Sequence, residues 1–277
     1  MRSSTPHSGR RQDLPFFLFL AGVLAFLLGT RFPAQTASLC AGSDLTAAPD
    51  TAPFSSTPVF ASGAAEDAGD KWVCLTFDDG PSKTTPAVLE ALDAAGVHGT
   101  FFVVATGHNQ KYLPLLTQAA AAGHQIALHS ASHEYSDIYR SAEAYWQDIA
   151  LLKERIAPYV DPETIRYLRF PGGSTNTVSR RYGGKGLMQQ LKSEVEQKGW
   201  QWVDWNVCAE DAVGGHPDAD TIYRNVVRET GEQTRCVVLM HDSATTGTTA
   251  RALPEIIRWY ADRDYRFLTV EQALPLG

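Results

Sequence analysis

"LTFDDGPS", Leu75 to Ser82, closes an apolar run that begins at Trp72 with two adjacent aspartates and a Gly-Pro turn. Asp-Asp-Gly-Pro is good turn chemistry in its own right, because Asp side chains accept bonds from nearby backbone N–H groups and Gly takes positive φ. It also places two carboxylates where a strand gives out, and in strand–helix folds functional groups collect at the C-terminal ends of strands. Whether Asp78 and Asp79 form a turn or a site depends on the partners that the rest of the chain supplies.

Outward from this stretch, runs rich in β-branched and aromatic residues alternate with helical patterns. Strands are expected at Trp72–Phe77, Thr100–Val104, Gln125–Leu128, Tyr167–Phe170, Gln201–Val207, Cys236–Met240 and Tyr265–Thr269. Between them lie "TTPAVLEALDAAG", "YLPLLTQAAAAG", "SAEAYWQDIALLKERIA", "LMQQLKSEVEQKG" and "TIYRNVVRET", several with Pro near the start and Gly past the end, as helices prefer. Strand, helix, strand, repeated about seven times, implies parallel strands joined by right-handed crossovers. The expected fold is an α/β distorted (β/α) barrel of about seven parallel strands, with an open doubly wound sheet as the alternative.

The residues that end these strands form a chemical set. "LHSASH" gives His129 and His133, four apart; in a helical turn the two imidazoles would share one face and could share an ion. A carboxylate from Asp78 or Asp79 would complete a two-His, one-Asp set that leaves coordination positions open. "LRFPGGS" brings Arg169, a permanent cation able to hold a carboxylate, and glycines that let backbone approach a ligand. "VLMHDS" delivers His241 to the same rim, and Asp211 in "EDA" is a partner that could orient it and favour its protonated form.

"TFDDGP", "HSASH", "RFPGG", "EDA" and "LMH", in this order, resemble the five motifs of the NodB-type polysaccharide deacetylases, carbohydrate esterase family four. The resemblance spans Lys71 to Gly277. It implies a distorted barrel with one divalent ion, zinc first and cobalt or manganese as alternatives, that hydrolyses N-acetyl groups on sugar polymers. By the same resemblance Asp78 is the general base, Asp79, His129 and His133 hold the metal, His241 is the general acid, and Arg169 tethers the base. Leu239 lines the acetyl pocket, and Gly172, in place of a common Tyr, offers its N–H to the oxyanion. Ala212 replaces a common Trp, so that a groove wall is either missing or supplied by Trp202 or Trp205.

The whole chain sets the context. Its 277 residues carry a net charge of −7, which does not favour nucleic acid as a partner. Arg2, Arg10 and Arg11 precede the apolar run Leu14 to Gly29, which reads as a signal peptide or signal-anchor over residues 1–30. A low-complexity tether follows over 31–70, and a catalytic domain over 71–277. The expected location is therefore extracytoplasmic, membrane-anchored through that segment or secreted, with an N-acetylated polysaccharide such as peptidoglycan as partner. Two other functions fit the sequence: an O-acetyl esterase of the xylan type and an inactive carbohydrate-binding wall protein. The four cysteines do not read as a disulfide framework: Cys40 falls in the tether, and Cys74, Cys208 and Cys236 read as small buried apolar residues.

Overall fold

The computed structural model describes residues 71–214 and 216–276. The apolar run Leu14 to Gly29 and the expected tether lie outside the described residues. Among the described residues no helix is long and apolar enough to cross a membrane.

The strands are β1 (Trp72–Asp78), β2 (Thr100–Val104), β3 (Gln125–Ser130), β4 (Tyr167–Leu168), β5 (Gln201–Trp202), β6 (Val207–Cys208), β7 (Arg235–His241) and β8 (Arg266–Phe267). All pair in parallel, in the order β5-β4-β3-β2-β1-β7-β6, with β8 added to β1. Every residue of β1 is buried, as a central strand covered on both faces requires, which is why its sequence is nearly all apolar. One edge of β1 pairs with β7 along its whole length; on the other, β8 pairs at Trp72–Val73 and β2 at Thr76–Asp78.

The helices are α1 (Thr85–Ala94), α2 (Leu115–Ala121), α3 (Tyr135–Ile138), α4 (Ala142–Ile156), α5 (Val178–Gly183), α6 (Leu187–Gln197), α7 (Ala219–Thr230), α8 (Gly247–Ala261) and α9 (Val270–Ala273). Their buried stripes, such as Val88 and Leu92 of α1, Ile149, Leu152 and Ile156 of α4 and Ile256 and Tyr260 of α8, join the strands in one core. Ser141 caps α4 and Asp218 caps α7, each accepting a bond from a backbone N–H in the first turn.

The expected fifth strand, Gln201–Val207, is two strands at opposite edges of the sheet. The Val203 and Asp204 carbonyls accept bonds from the Arg169 guanidinium, at 2.9 and 3.2 Å, instead of continuing a ladder. Only four residues link β5 to β6, and five chain steps span at most about 17 Å. The two edges are therefore close together, and the sheet curls into the distorted half-barrel that the sequence leads one to expect, with eight short strands rather than seven. Cys74 and Cys236 are buried free thiols as expected. Cys208 is buried too, but it is disulfide-bonded, which its reading as a small packing residue did not foresee.

Candidate active site

The register of the central strands brings distant residues together. Asp78 pairs with His241 across β1 and β7, and the Arg169 N–H bonds the Leu128 carbonyl, immediately before His129. Asp78, Asp79, His129, Arg169 and His241 thus stand at one rim.

The Asp78 carboxylate is buried and points to Arg169, whose NH1 donates to Oδ1 at 2.8 Å. Arg169 is fully buried, and it also donates to Thr76 Oγ1 and packs its guanidinium 4.1 Å from the Phe102 ring centre. Burial raises the pKa of Asp78, against the opposing charges of Arg169 and His241.

Asp79 turns the other way. Its backbone is left-handed (φ 67°), which is costly for a residue with a Cβ, and the same holds for His133 (φ 58°). Asp79 Oδ1 is buried with no hydrogen-bond partner among the described residues, and it faces His129 Nε2 at 3.6 Å and His133 Nε2 at 3.3 Å. Tetrahedral zinc with ligands at about 2.0–2.1 Å would hold them roughly 3.3 Å apart, and one ligand atom from each of the three residues lies within 4.8 Å of the others. His129 Nδ1 lies 2.7 Å from the Arg169 carbonyl, so it carries the proton and leaves Nε2 with a free lone pair. Burial lowers the His129 pKa to about 3, which keeps the ring neutral, as a ligand must be. An orphaned carboxylate oxygen facing two imidazole nitrogens fits a divalent cation.

The HxxxH pair does not lie on a helix. His129 is the penultimate residue of β3, and His133 follows a tight turn in which Ser130 Oγ accepts the His133 N–H at 2.8 Å. Asp148 of α4 holds that turn: it accepts from Ser130 Oγ and the Ala131 N–H through Oδ2 and from the Ser132 N–H through Oδ1.

His241 Nδ1 is 2.8 Å from Asp211 Oδ1, while Asp211 Oδ2 accepts the His241 backbone N–H and the Thr249 hydroxyl. Burial alone would lower the His241 pKa, but the charge and hydrogen bond of Asp211, aided by Asp79 and Asp78, raise it to about 9. Leu239 is buried two residues earlier on the same strand, hence on the same face as His241. Asp242 is fully buried and accepts from Thr85 Oγ1, while its N–H donates to the Asp78 carbonyl. A Cβ on Gly80 would fall 2.1 Å from both Asp242 carboxylate oxygens, so only glycine lets the two loops approach this closely.

Gly172 adopts φ 78°, and the Tyr135 hydroxyl occupies the space beside it. Of the two tryptophans considered for the groove, Trp205 packs against Gly173 and lies 5.5 Å from the Arg169 guanidinium, whereas Trp202 lies in β5 with the Lys192 ammonium over its ring. Ala212 is partly exposed beside Asp211. Sequence reading missed Tyr135, Asp148, Thr249 and Asp242. A 430 Å³ cavity lined by Thr117, His124, Tyr159 and Arg166 opens near the starts of β3 and β4 and holds none of these groups.

Known proteins match this arrangement. The polysaccharide deacetylase family profile matches residues 65–190. The catalytic domain of a peptidoglycan N-acetylglucosamine deacetylase from Eubacterium rectale is 35% identical, with a TM-score of 0.70 over 78% of this chain and 96% of that one. A CE4 esterase from Streptococcus mutans is 30% identical, with a TM-score of 0.63 over 73% and 86% of the respective chains. A peptidoglycan-N-acetylglucosamine deacetylase of Bacillus cereus is 29% identical over 212 residues, 74% of this chain and 89% of that protein. With five motifs ending the strands of one curled parallel sheet, and with a solved relative matched over nearly its whole length, the chain belongs to the NodB-type polysaccharide deacetylases, hydrolases of carbohydrate esterase family four.

Proposed function

We propose that this protein removes N-acetyl groups from N-acetylglucosamine-type sugars of an extracytoplasmic polysaccharide, peptidoglycan first, in a metal-dependent hydrolysis that releases acetate. The observation that carries the reading is the buried, unpartnered Asp79 Oδ1 facing two imidazole nitrogens, next to an Asp78 held by Arg169. Peptidoglycan deacetylases among its relatives, those of Eubacterium rectale and Bacillus cereus included, support the substrate class. The basic and apolar N-terminal segment supports export, with the domain anchored or released outside the cytoplasmic membrane.

Asp79, His129 and His133 would hold the cation, zinc first. Such an ion supplies a Lewis acid that polarises the acyl oxygen and lowers the pKa of water. Arg169 fixes Asp78 Oδ1, and Asp78, made more basic by burial, takes a proton from water as the water oxygen bonds the acyl carbon. The Gly172 N–H offers a hydrogen bond to the acyl oxygen as charge gathers there. Asp211 accepts from His241 Nδ1 and raises the ring's pKa to about 9, so the ring is doubly protonated at neutral pH and its other nitrogen gives its proton to the leaving amide nitrogen when the C–N bond breaks. Acetate and a free amino sugar result. Leu239 would line the acetyl pocket, and Trp205 would supply the groove wall that Ala212 does not.

Acetate release from peptidoglycan, chitooligosaccharides and acetylated xylan tests the proposal. Release from the N-acetylated polymers with a new free amine is expected. Release from xylan alone would make the protein an O-acetyl esterase, and release from none would leave a binding role.

A further inference from the structure

The geometry points to Tyr135 as a second hydrogen-bond donor to the acyl oxygen of the substrate, beside the Gly172 N–H; this rests on the deacetylase reading of the same site. With no side chain at 172, the space that a Cβ would enter is bordered by the Tyr135 hydroxyl at 3.2 Å and by Cε1 at 3.6 Å. A residue's own Cβ and N are about 2.5 Å apart, so the phenol oxygen and the Gly172 nitrogen are separated by at most about 5.7 Å. One acceptor oxygen at ordinary hydrogen-bond distances of about 2.8–2.9 Å can reach both donors across such a gap.

The phenol is held ready for that role. Its ring stacks on Tyr139 at 6.0 Å and 12°, and the Tyr139 hydroxyl donates to the Pro171 carbonyl at 2.7 Å, so the ring and the Gly172 loop share one support. The ring also lies 5.4 Å from that of His133, which places it at the edge of the Asp79, His129 and His133 cluster. Neither the Tyr135 hydroxyl nor the Gly172 N–H bonds any group among the described residues, and the tyrosine is only partly buried. Two free donors beside a candidate metal site, one of them rigidly stacked, are what stabilisation of a developing oxyanion requires.

Tyr135→Phe keeps the ring and its stacking and removes only the donor, so a purely structural role would leave it silent. In the zinc-loaded full chain, the variant should lower kcat on chitooligosaccharides about 100-fold, with KM within about threefold and with zinc content and melting temperature unchanged. Titration with ¹³C-labelled acetate, followed by NMR, should show affinity weakened about tenfold, the usual effect of removing one bond to a charged acceptor. Acetate affinity unchanged by Tyr135→Phe overturns the assignment. If the wild-type protein releases no acetate from any polymer, the deacetylase reading falls, and the acetate titration still decides whether Tyr135 is a donor to an acyl-type oxygen.

Discussion

Asp78 and Arg169 form a buried ion pair across 91 residues of sequence, with NH1 2.8 Å from Oδ1 and both side chains at most 5% exposed. A pair of this kind adds little net stability, but removal of one partner strands the other in a medium that cannot solvate it. Arg169→Gln should therefore destabilise the domain by about 3–5 kcal/mol and lower kcat/KM at neutral pH by two orders of magnitude or more. Arg169 is also the largest influence that opposes the burial of Asp78. A base works only when deprotonated, so the acid limb of the pH–rate profile should move to higher pH in the variant. An unmoved acid limb would mean that Asp78 is not the base that Arg169 holds.

His241 should matter more for amides than for activated esters. An amine cannot leave as an anion, so C–N cleavage needs a proton in the transition state, whereas an aryl acetate expels a stable phenolate. His241→Ala should lose far more rate on N-acetylglucosamine oligomers than on an aryl acetate, and Asp78→Asn should impair both, at equal metal content. Equal losses on the two substrates for His241→Ala would remove its role as acid.

The raised His241 pKa sets a further limit. The protonated ring is the working form, so rate should hold at lower pH and be lost as pH rises towards about 9. A cation beside Asp79 offsets part of the negative charge that lifts this value, so the limb of the loaded enzyme should lie at or below it. Stability follows the same direction: the contribution is complete below the ordinary value of about 6.5 and fades between there and about 9. Asp211→Asn removes the largest raising influence and should shift the alkaline limb down. pH–rate and pH–melting profiles of the two proteins check both effects.

Asp148 touches none of the proposed ligands, yet it fixes the turn that carries His133 through three hydrogen bonds. Groups that support metal ligands in this way typically contribute a factor of about 10–100 in affinity. Asp148→Ala should weaken zinc binding by that factor in calorimetric titration. An affinity equal to that of wild type would mean that the turn holds its left-handed His133 without help.

Much of the site was legible because its groups end apolar strands: Asp78 and His241 terminate β1 and β7, and their identity stands out against largely apolar, buried runs. The break between β5 and β6 was hidden because it is caused by Arg169, which takes two carbonyls from a segment more than 30 residues away. A spacing of four suggested a helix for His129 and His133, but Ser130 and Asp148 build a turn that reaches the same convergence. Asp148 did leave a signal. It occupies a position in the stripe of Tyr145, Ile149 and Leu152, where a carboxylate has no reason to be unless something buried needs it. Tyr135 and Thr249 left none, since their partners are set by tertiary packing alone.

The central claim is that the Asp79, His129 and His133 cluster binds the one cation on which deacetylation depends. Its most direct test is a titration of metal-stripped protein with zinc, following acetate release from N-acetylglucosamine oligomers. The account predicts negligible release without metal, a rise that saturates at about one equivalent, and no tight binding or restored rate in His129→Ala. Full activity in the stripped protein, or undiminished zinc-dependent activity in His129→Ala, would contradict it.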